Sequence, residues 1–318
     1  MRRRRGVGTI LAPAVVAVSL LAACSSGGSG GTAGPTTASS TATAPVSGSN
    51  SSAGAAAGLP TPDHVLVAVF ENKAPGSVTG RADAPYLNAL AGLGANFTDA
   101  HGEAHPSQPN YLALFSGSTQ NVTDDSCPLT FHGPNLAARL QAAGRSFIGY
   151  SEDLPSSGYT GCSAGEYARK HNPWVDFPAL PPSVNQPLSA LPSDFSTLPT
   201  VSFVVPNLCN DMHDCPVATG DKWAGQHLAG YATWAMTHNS LLIVTFDEDE
   251  GTAANHIATM LVGPMVRAGT SGQRIDHYSL LRTIEDMYGL PPLGHAAEAQ
   301  TLQGIWQTPT SQASQGGG

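Results

Sequence analysis

Continuous apolar runs alternate with helical patterns along the middle of the chain. Three long runs are typical of strands buried in a parallel sheet, and two shorter runs predict further strands. These five runs are residues 64–70, 200–205, 241–246, 146–150 and 257–262. Four segments carry helical spacing or a helix-start signal: 84–93, 107–116, 221–237 and 278–288. Strands that alternate with helices predict an α/β fold, in which helices flank a central, mostly parallel sheet.

The first 58 residues lack this alternation. Arginines at positions 2–5 precede an apolar run at 10–23, which predicts an export signal over residues 1–23. The run ends in Leu-Ala-Ala-Cys24, which resembles the lipobox of bacterial lipoproteins, where the cysteine carries the lipid. An ordinary signal peptide with a chance cysteine is the alternative. The resemblance implies a protein outside the cytoplasm that is attached to the cell membrane through Cys24.

Three further segments follow the signal. Residues 24–58 consist almost entirely of Gly, Ser, Thr, Ala and Pro and carry no charged side chain, so we expect a flexible tether. Residues 59–306 are long enough for one domain with a hydrophobic core. Within this domain, the proline-rich stretch 173–199 predicts an irregular excursion. Residues 307–318 predict a loose tail.

The charge of the chain excludes one class of partner. The formal net charge is −9, and it is −13 without the four N-terminal arginines. Because nucleic-acid binding depends on a basic surface, we expect no nucleic-acid partner. The many carboxylates fit either divalent-metal binding or a solvated acidic surface.

Five cysteines fit an exported protein. Apart from Cys24 they form an even set: Cys127, Cys162, Cys209 and Cys215. An even set in an oxidising compartment predicts two disulfides. Three pairings exist, and we expect a short loop between Cys209 and Cys215 and a longer one between Cys127 and Cys162. A zinc site is the alternative, although the spacing does not match common zinc ribbons.

Polar side chains able to bind metal follow three of the predicted strands. They are Glu71 and Asn72, the run 207–214, and Asp247 and Glu248. Because ligands bind outside the carboxyl ends of parallel strands, we expect these side chains to share one site. Their oxygens favour Mg, Ca or Mn, whereas nitrogens from His213 and His256 would let Zn or Fe compete. Taken singly, each cluster could instead cap a helix.

Ser107 is the candidate nucleophile. It lies at the start of a predicted helix, within His-Pro-Ser-Gln-Pro-Asn-Tyr. Free backbone N–H groups and the helix dipole favour negative charge at such a position, and they can hold a phosphate oxygen. An adjacent metal would activate the hydroxyl further. The alternative is a simple helix N-cap.

The ordered set of motifs resembles a known family. The motifs are Glu71-Asn72, residues 105–111 with 114–117, the segment 206–214, Gly220-Asp221, and residues 246–248. Together they resemble the bacterial phosphoesterases that group acid phosphatases with phospholipases C, within the alkaline-phosphatase superfamily. The resemblance covers residues 64–290 and implies an alkaline-phosphatase-like fold.

The resemblance also implies a role for each matching residue. Five would hold a divalent metal: Glu71, Asn72, Ser107, Asp247 and Glu248. Ser107 would also attack phosphorus, and Asp211 and His213 would act on the leaving group, with His213 as general acid. Three more would lie on the leaving-group side or bind a second metal: Asn207, Asp221 and His256. The metal, whether Mg, Ca, Mn, Zn or Fe, stays open.

The implied function is metal-dependent hydrolysis of small phosphate esters through a phosphoserine intermediate, as in acid phosphatases. One alternative is a phospholipase-C-like phosphodiesterase that acts on lipid head groups. The other is a catalytically inactive lipoprotein that binds phosphate or metal. Ser107→Ala distinguishes an enzyme from a binding protein. The enzyme should lose its turnover, whereas a binding protein should keep its ligand.

Overall fold

The computed structural model describes residues 58–307. The predicted export signal, Cys24, nearly all of the predicted tether and all but the first residue of the predicted tail lie outside the described residues. Between residues 58 and 307, no helix is long and apolar enough to cross a membrane.

Strands in residues 58–307 form one large sheet and one small one. In chain order they are β1 (His64–Phe70), β2 (Ala95–His101), β3 (Phe147–Ser151), β4 (Ser163–Ala164), β5 (Tyr167–Ala168), β6 (Asn185–Pro187), β7 (Val201–Val205), β8 (Ser240–Phe246), β9 (His256–Val262) and β10 (Gly269–Asp276). The large sheet has the order β10-β2-β9-β8-β1-β7-β3-β6, and β4 pairs with β5. All five predicted strands are confirmed within one residue at each end.

The large sheet is mostly parallel, as predicted. Strand β9 runs antiparallel to β2 and β8, and every other pairing is parallel. Strand β1 lies between β7 and β8, and these three strands are buried along almost their whole length. Their carboxyl ends therefore meet at one edge of the sheet.

Helices in the described part flank this sheet. They are α1 (Pro75–Val78), α2 (Pro85–Leu93), α3 (Gln108–Ser116), α4 (Leu136–Ala142), α5 (Val217–His227), α6 (Ala229–Ala235) and α7 (His277–Met287). The single helix predicted over 221–237 is wrong, because α5 begins four residues earlier, after Pro216, and Leu228 separates it from α6. Residues 173–199 contain short 3-10 turns and the edge strand β6, so the predicted irregular excursion is confirmed.

Helix α3 holds the candidate nucleophile at its start. All nine of its residues are buried, and it packs against α7 and against the 3-10 turns at residues 169–176. A fully buried helix fixes the position of its first turn, since neither end can move without opening the core. Ser107 therefore lies on a rigid support beside the carboxyl edge of the sheet.

Candidate active site

Ser107 lies at the centre of a buried polar cluster. Its hydroxyl donates to Glu71 Oε2 at 2.8 Å and lies 3.1 Å from Glu248 Oε1. The side chain is only 1% exposed and makes no capping hydrogen bond to α3. The hydroxyl is thus directed towards carboxylates at the ends of β1 and β8, and the N-cap alternative does not describe it.

Glu71, directly after β1, is fully buried. One carboxylate oxygen faces Ser107, and the other accepts from the Tyr111 hydroxyl and lies 3.1 Å from His171 Nε2. Burial raises the pKa of Glu71 well above its usual value, and the charges of Asp247 and Asp211 raise it further. A buried carboxylate among others carries its charge only if a cation compensates it.

Asp247 and Asn72 each present an oxygen without a partner. Asp247 Oδ1 accepts from the backbone N–H of Asn72 at 3.0 Å, whereas Asp247 Oδ2 and Asn72 Oδ1 are buried and make no hydrogen bond. Burial, followed by the charge of Glu248, raises the pKa of Asp247 to about 8. Unpaired buried oxygens are rare in proteins and indicate a missing partner.

Glu248 is held by His105. The two side chains share a hydrogen bond through His105 Nδ1, and His105 Nε2 lies 3.0 Å from the carbonyl oxygen of Thr252. Burial lowers the pKa of His105, but these two acceptors outweigh it, so the net shift is upwards. His105 therefore orients Glu248 towards Ser107.

His171 and Asp211 form the other side of the cluster. One ligand atom each from Glu71, His171 and Asp211 lies within 4.8 Å of the other two. Burial raises the pKa of Asp211 to about 7, and burial followed by the charge of Lys170 lowers the pKa of His171 well below its usual value. A neutral imidazole beside carboxylates is a usual arrangement of metal ligands.

The donor set fits a divalent metal. Four carboxylates meet here with raised pKa values, and three oxygens, Asn72 Oδ1, Asp211 Oδ2 and Asp247 Oδ2, are buried without hydrogen-bond partners. Ligand atoms of this kind suit hard cations, and the imidazole of His171 also suits zinc or iron. The geometry therefore supports a metal site and leaves the metal open.

Three of the predicted leaving-group residues have other partners. Asp221 accepts from the N–H groups of Tyr86 and Leu87, so it caps α2. His256 is directed towards the carbonyl oxygen of Thr98 and stacks on His101. The Asn207 side chain accepts from the N–H groups of residues 209 and 210 and donates to Asp153. None of these contacts joins the cluster around Ser107.

His213 lies at the rim of the site. Its backbone N–H donates to Asp211 Oδ1 at 2.8 Å, and its ring lies 6.2 Å from that of His171, centre to centre. A disulfide between Cys209 and Cys215 closes this segment, and a second joins Cys127 to Cys162. Both predicted disulfide pairings are confirmed, and the zinc alternative is wrong.

Sequence reasoning missed His171 and Lys170, and it assigned no role to Tyr111, the last residue of the motif 105–111. Residues 169–171 do not follow a long apolar run. The expectation that ligands bind at the carboxyl ends of buried strands therefore gives no reason to select them. Folding brings His171 to the cluster, where its ring stacks on Tyr111 at 5.0 Å. The Arg-Lys-His run is the one sequence signal that could have drawn attention to this segment.

Comparisons with known proteins agree with this geometry. A model of the phosphoesterase family matches residues 77–291. The chain is 49% identical to a phosphatidylinositol-3-phosphatase of Mycobacterium tuberculosis, and the match covers 79% of this chain and 85% of that protein. It is 31% identical to a phosphate-repressible acid phosphatase of Penicillium chrysogenum over 65% of this chain, but spans only 55% of that longer protein.

Solved structures share the fold. A protein of the alkaline phosphatase superfamily from Vibrio parahaemolyticus gives a TM-score of 0.51 at 12% identity, over 75% of this chain and 70% of that one. A lipoteichoic acid synthase from Listeria monocytogenes gives 0.52 at 11% identity, over 73% of each chain. Identities this low show similarity of fold alone.

Proposed function

The chain belongs to the phosphoesterase family and hydrolyses phosphate esters, and from that premise we propose that it is a metal-dependent phosphatase with Ser107 as covalent nucleophile. The observation that carries this proposal is the position of the Ser107 hydroxyl. It is buried, directed towards Glu71 and Glu248, and placed at the start of a rigid helix. The resemblance predicted from sequence agrees with the family found.

The residues that would hold the metal have oxygens that either lack a hydrogen-bond partner or belong to the buried cluster around Ser107. Asn72 and Asp247 each offer a buried oxygen without a hydrogen-bond partner, and the proposed set is completed by Glu71, Ser107 and Glu248. Glu71, His171 and Asp211 offer a second group of ligand atoms. A bound divalent cation would supply the positive charge that favours an alkoxide on Ser107 and a phosphate beside these carboxylates.

The chain's own side chains orient the attack. Glu71 Oε2 and Glu248 Oε1 hold the hydroxyl proton of Ser107, so one lone pair of Oγ is free to approach phosphorus. Attack forms the Ser107–phosphorus bond as the bond to the leaving oxygen breaks, and the hydroxyl proton of Ser107 passes to one of these two carboxylates. Water then releases inorganic phosphate from the phosphoserine. His213, at the rim, is our candidate for protonating the leaving oxygen.

We propose a phosphate monoester as substrate. The relatives compared are named as a phosphatidylinositol-3-phosphatase and as acid phosphatases, which supports a monoesterase over a phospholipase-C-like diesterase. These names also disfavour a catalytically inactive binding protein. Assays with soluble monoesters and with a phosphoinositide distinguish a small soluble substrate from a lipid one.

We also propose that the protein works outside the cytoplasm and is attached to the membrane by lipid on Cys24. The two disulfides in the folded part support an oxidising compartment. Labelling of cells with a radioactive fatty acid tests the anchor. The wild type should take up label and Cys24→Ser should not, whereas equal labelling of both would contradict the lipid site.

Hydrolysis assays test the enzymatic proposal. The folded domain would be assayed with p-nitrophenyl phosphate, its bis ester, glycerol phosphate and a short-chain phosphatidylinositol 3-phosphate, with and without chelator. We expect monoester turnover that chelator abolishes and that Ser107→Ala lowers by about 10⁴-fold or more. Ser116→Ala, on the same helix but outside the site, is the matched control. Full activity in Ser107→Ala would contradict the proposal.

A further inference from the structure

A carboxylate of the chain itself lies next to the nucleophile. Asp125 Oδ1 accepts a hydrogen bond from the backbone N–H of Gln108 at 3.0 Å, and Asp125 Oδ2 accepts one from Lys170 Nζ at 2.7 Å. Gln108 directly follows Ser107 and is the first residue of α3. Asp125 thus joins two positively polarised donors, one on each side of its carboxylate.

Both donors have the polarity that suits a substrate phosphate. The N–H of Gln108 points outward from the start of α3, where the helix dipole favours an anion. The positive charge of the Lys170 ammonium influences both His171 and Asp211. It lowers the pKa of His171, and it opposes the rise in the pKa of Asp211 that burial causes. Burial lowers the pKa of Lys170, but the hydrogen bond to Asp125 and the charges of Asp125, Glu71 and Asp247 raise it. The net shift in the pKa of Lys170 is upwards, so its ammonium form is favoured.

The charge of Asp125 also acts on both sides of the cluster. It contributes to raising the pKa of Glu248 on one side and opposes the lowering of the pKa of His171 on the other. About a third of its side chain is exposed. An anion that is partly open to solvent can leave its place, whereas Glu71 and Asp247 are buried and cannot.

The chain holds Asp125 and Lys170 together through two independent links. Cys127, two residues after Asp125, is bonded to Cys162 in the segment that leads to Lys170. Arg169, next to Lys170, donates to the carbonyl oxygens of Leu129 and Thr160 and to the buried carboxylate of Asp176. These links fix the backbone on both sides, so the contact between Asp125 and Lys170 is a built feature of the site.

We propose that Asp125 occupies the phosphate-binding position of this enzyme, and that the substrate's phosphoryl group displaces it and takes over the N–H of Gln108 and the ammonium of Lys170. The inference rests on the proposed function, because it places the phosphoryl group on Ser107. Lys170 is then a substrate-binding residue, and Asp125 is an internal competitor that neutralises Lys170 when no phosphate is bound.

A purely structural role for Asp125 makes the opposite prediction. If Asp125 only capped α3 and positioned Lys170, its removal would leave Lys170 badly placed, and phosphate would bind more weakly. If Asp125 competes, its removal frees both donors, and phosphate binds more tightly. The direction of the change separates the two accounts.

The test is the affinity for inorganic phosphate, measured by calorimetry on the metal-loaded protein. For Asp125→Asn and Asp125→Ala we expect roughly tenfold tighter binding, and for Lys170→Met roughly tenfold weaker binding, on the scale of one charge-assisted hydrogen bond. The exposed side chains of Asp124 and Lys222 supply matched controls: Asp124→Asn and Lys222→Met should leave the affinity unchanged. Unchanged or weaker binding in both Asp125 variants would overturn the inference.

Two further readouts make every outcome informative. Thermal unfolding checks that the variants fold, and if Lys170→Met does not, the nearly isosteric Asp125→Asn decides alone. Turnover of p-nitrophenyl phosphate by the wild type is measured in parallel. Absent turnover would contradict the proposed function. Normal turnover without tighter phosphate binding in the Asp125 variants would contradict only the role of Asp125.

Discussion

Glu71 and Ser107 lie 36 residues apart in the chain, yet a hydrogen bond of 2.8 Å joins their side chains in the interior of the protein. Glu71 directly follows the central strand β1, and Ser107 directly precedes the buried helix α3. The contact therefore links two buried elements of the fold. It directs the serine oxygen towards the carboxylates that would hold the proposed metal.

Replacement of Glu71 by Gln should remove metal binding while it preserves the fold. The side chains have the same shape, but the variant lacks a ligand charge, so metal affinity should fall by more than the roughly 100-fold typical of lost outer-shell partners. Without metal, the variant should be at least as stable as the wild type, because it buries no carboxylate. Titration with Mg²⁺, Ca²⁺, Mn²⁺, Zn²⁺ and Fe²⁺ measures the first effect, and thermal unfolding with chelator measures the second.

The exposed Glu166 provides the control for this experiment. Glu166→Gln removes the same charge from the surface and should change neither metal affinity nor activity. Normal metal affinity in Glu71→Gln would show that the metal binds elsewhere.

The metal-free protein should lose stability as the pH rises. Asp211 and Asp247 have folded-state pKa values of about 7 and about 8, whereas unfolded aspartates titrate near 4. Because the folded state keeps these protons and the unfolded state releases them, their contribution is fully present below about pH 4 and lost as pH rises through 7 to 8. Unfolding temperatures with chelator between pH 5 and 8.5 measure this loss.

The metal-saturated protein serves as the reference. Metal binds the ionised carboxylates, so the stabilisation by metal should grow with pH. Burial also raises the pKa values of Glu103 and Glu285 to about 8, but these residues lie outside the proposed ligand set and affect both forms alike. The difference in unfolding temperature between the metal-free and metal-saturated proteins at each pH therefore reports on the proposed metal site. Because buried His171 and His277 have lowered pKa values, they oppose this loss below about pH 6.5. A metal-free stability that rises between pH 7 and 8.5 would contradict the account.

Replacement of His213 by Gln should affect only poor leaving groups. An alkoxide must be protonated as it leaves, whereas p-nitrophenolate leaves without help. We expect kcat/KM for glycerol phosphate to fall by about 100-fold and that for p-nitrophenyl phosphate to change little. His238→Gln, at an exposed position on another surface, is the control. An equal loss for both esters would assign the acid to another residue.

Removal of the Cys209–Cys215 disulfide should loosen the segment that carries Asp211 and His213. For the double serine variant we expect a loss of about 2 kcal/mol in the free energy of unfolding. Misplaced leaving-group residues should lower kcat/KM by roughly tenfold to a hundredfold. Denaturant unfolding and kinetics measure both. Unchanged kcat/KM would show that the disulfide does not position this segment.

The hydrophobic pattern predicted the parts of the fold that are buried on both faces. Strands β1, β7 and β8 are continuous apolar runs, so their ends, and with them Glu71 and Asp247, could be placed at one edge of the sheet before the structure was known. Strand β10 was missed because it lies at the sheet edge and is largely exposed and polar. Strand β2 was missed because its polar residues interrupt the apolar pattern.

Side-chain contacts made by tertiary packing could not be predicted in the same way. The resemblance placed Asp221 on the leaving-group side or at a second metal. The long-range packing of α5 on α2 instead lets its carboxylate accept from the N–H groups of Tyr86 and Leu87. His171 reaches Glu71 across 100 residues of sequence, from a segment of short turns. Residue types at the strand ends indicate which edge of the sheet could bind a metal. They do not show which distant loop supplies the remaining side chains of the site.

The steric course at phosphorus tests the central claim most directly. The wild type would transfer an isotopically chiral phosphoryl group from phenyl phosphate to an alcohol acceptor, and the configuration of the product would be determined. Attack by Ser107 followed by attack of the acceptor gives two inversions, so the account predicts net retention. Net inversion would show a single direct displacement and would contradict a phosphoserine intermediate.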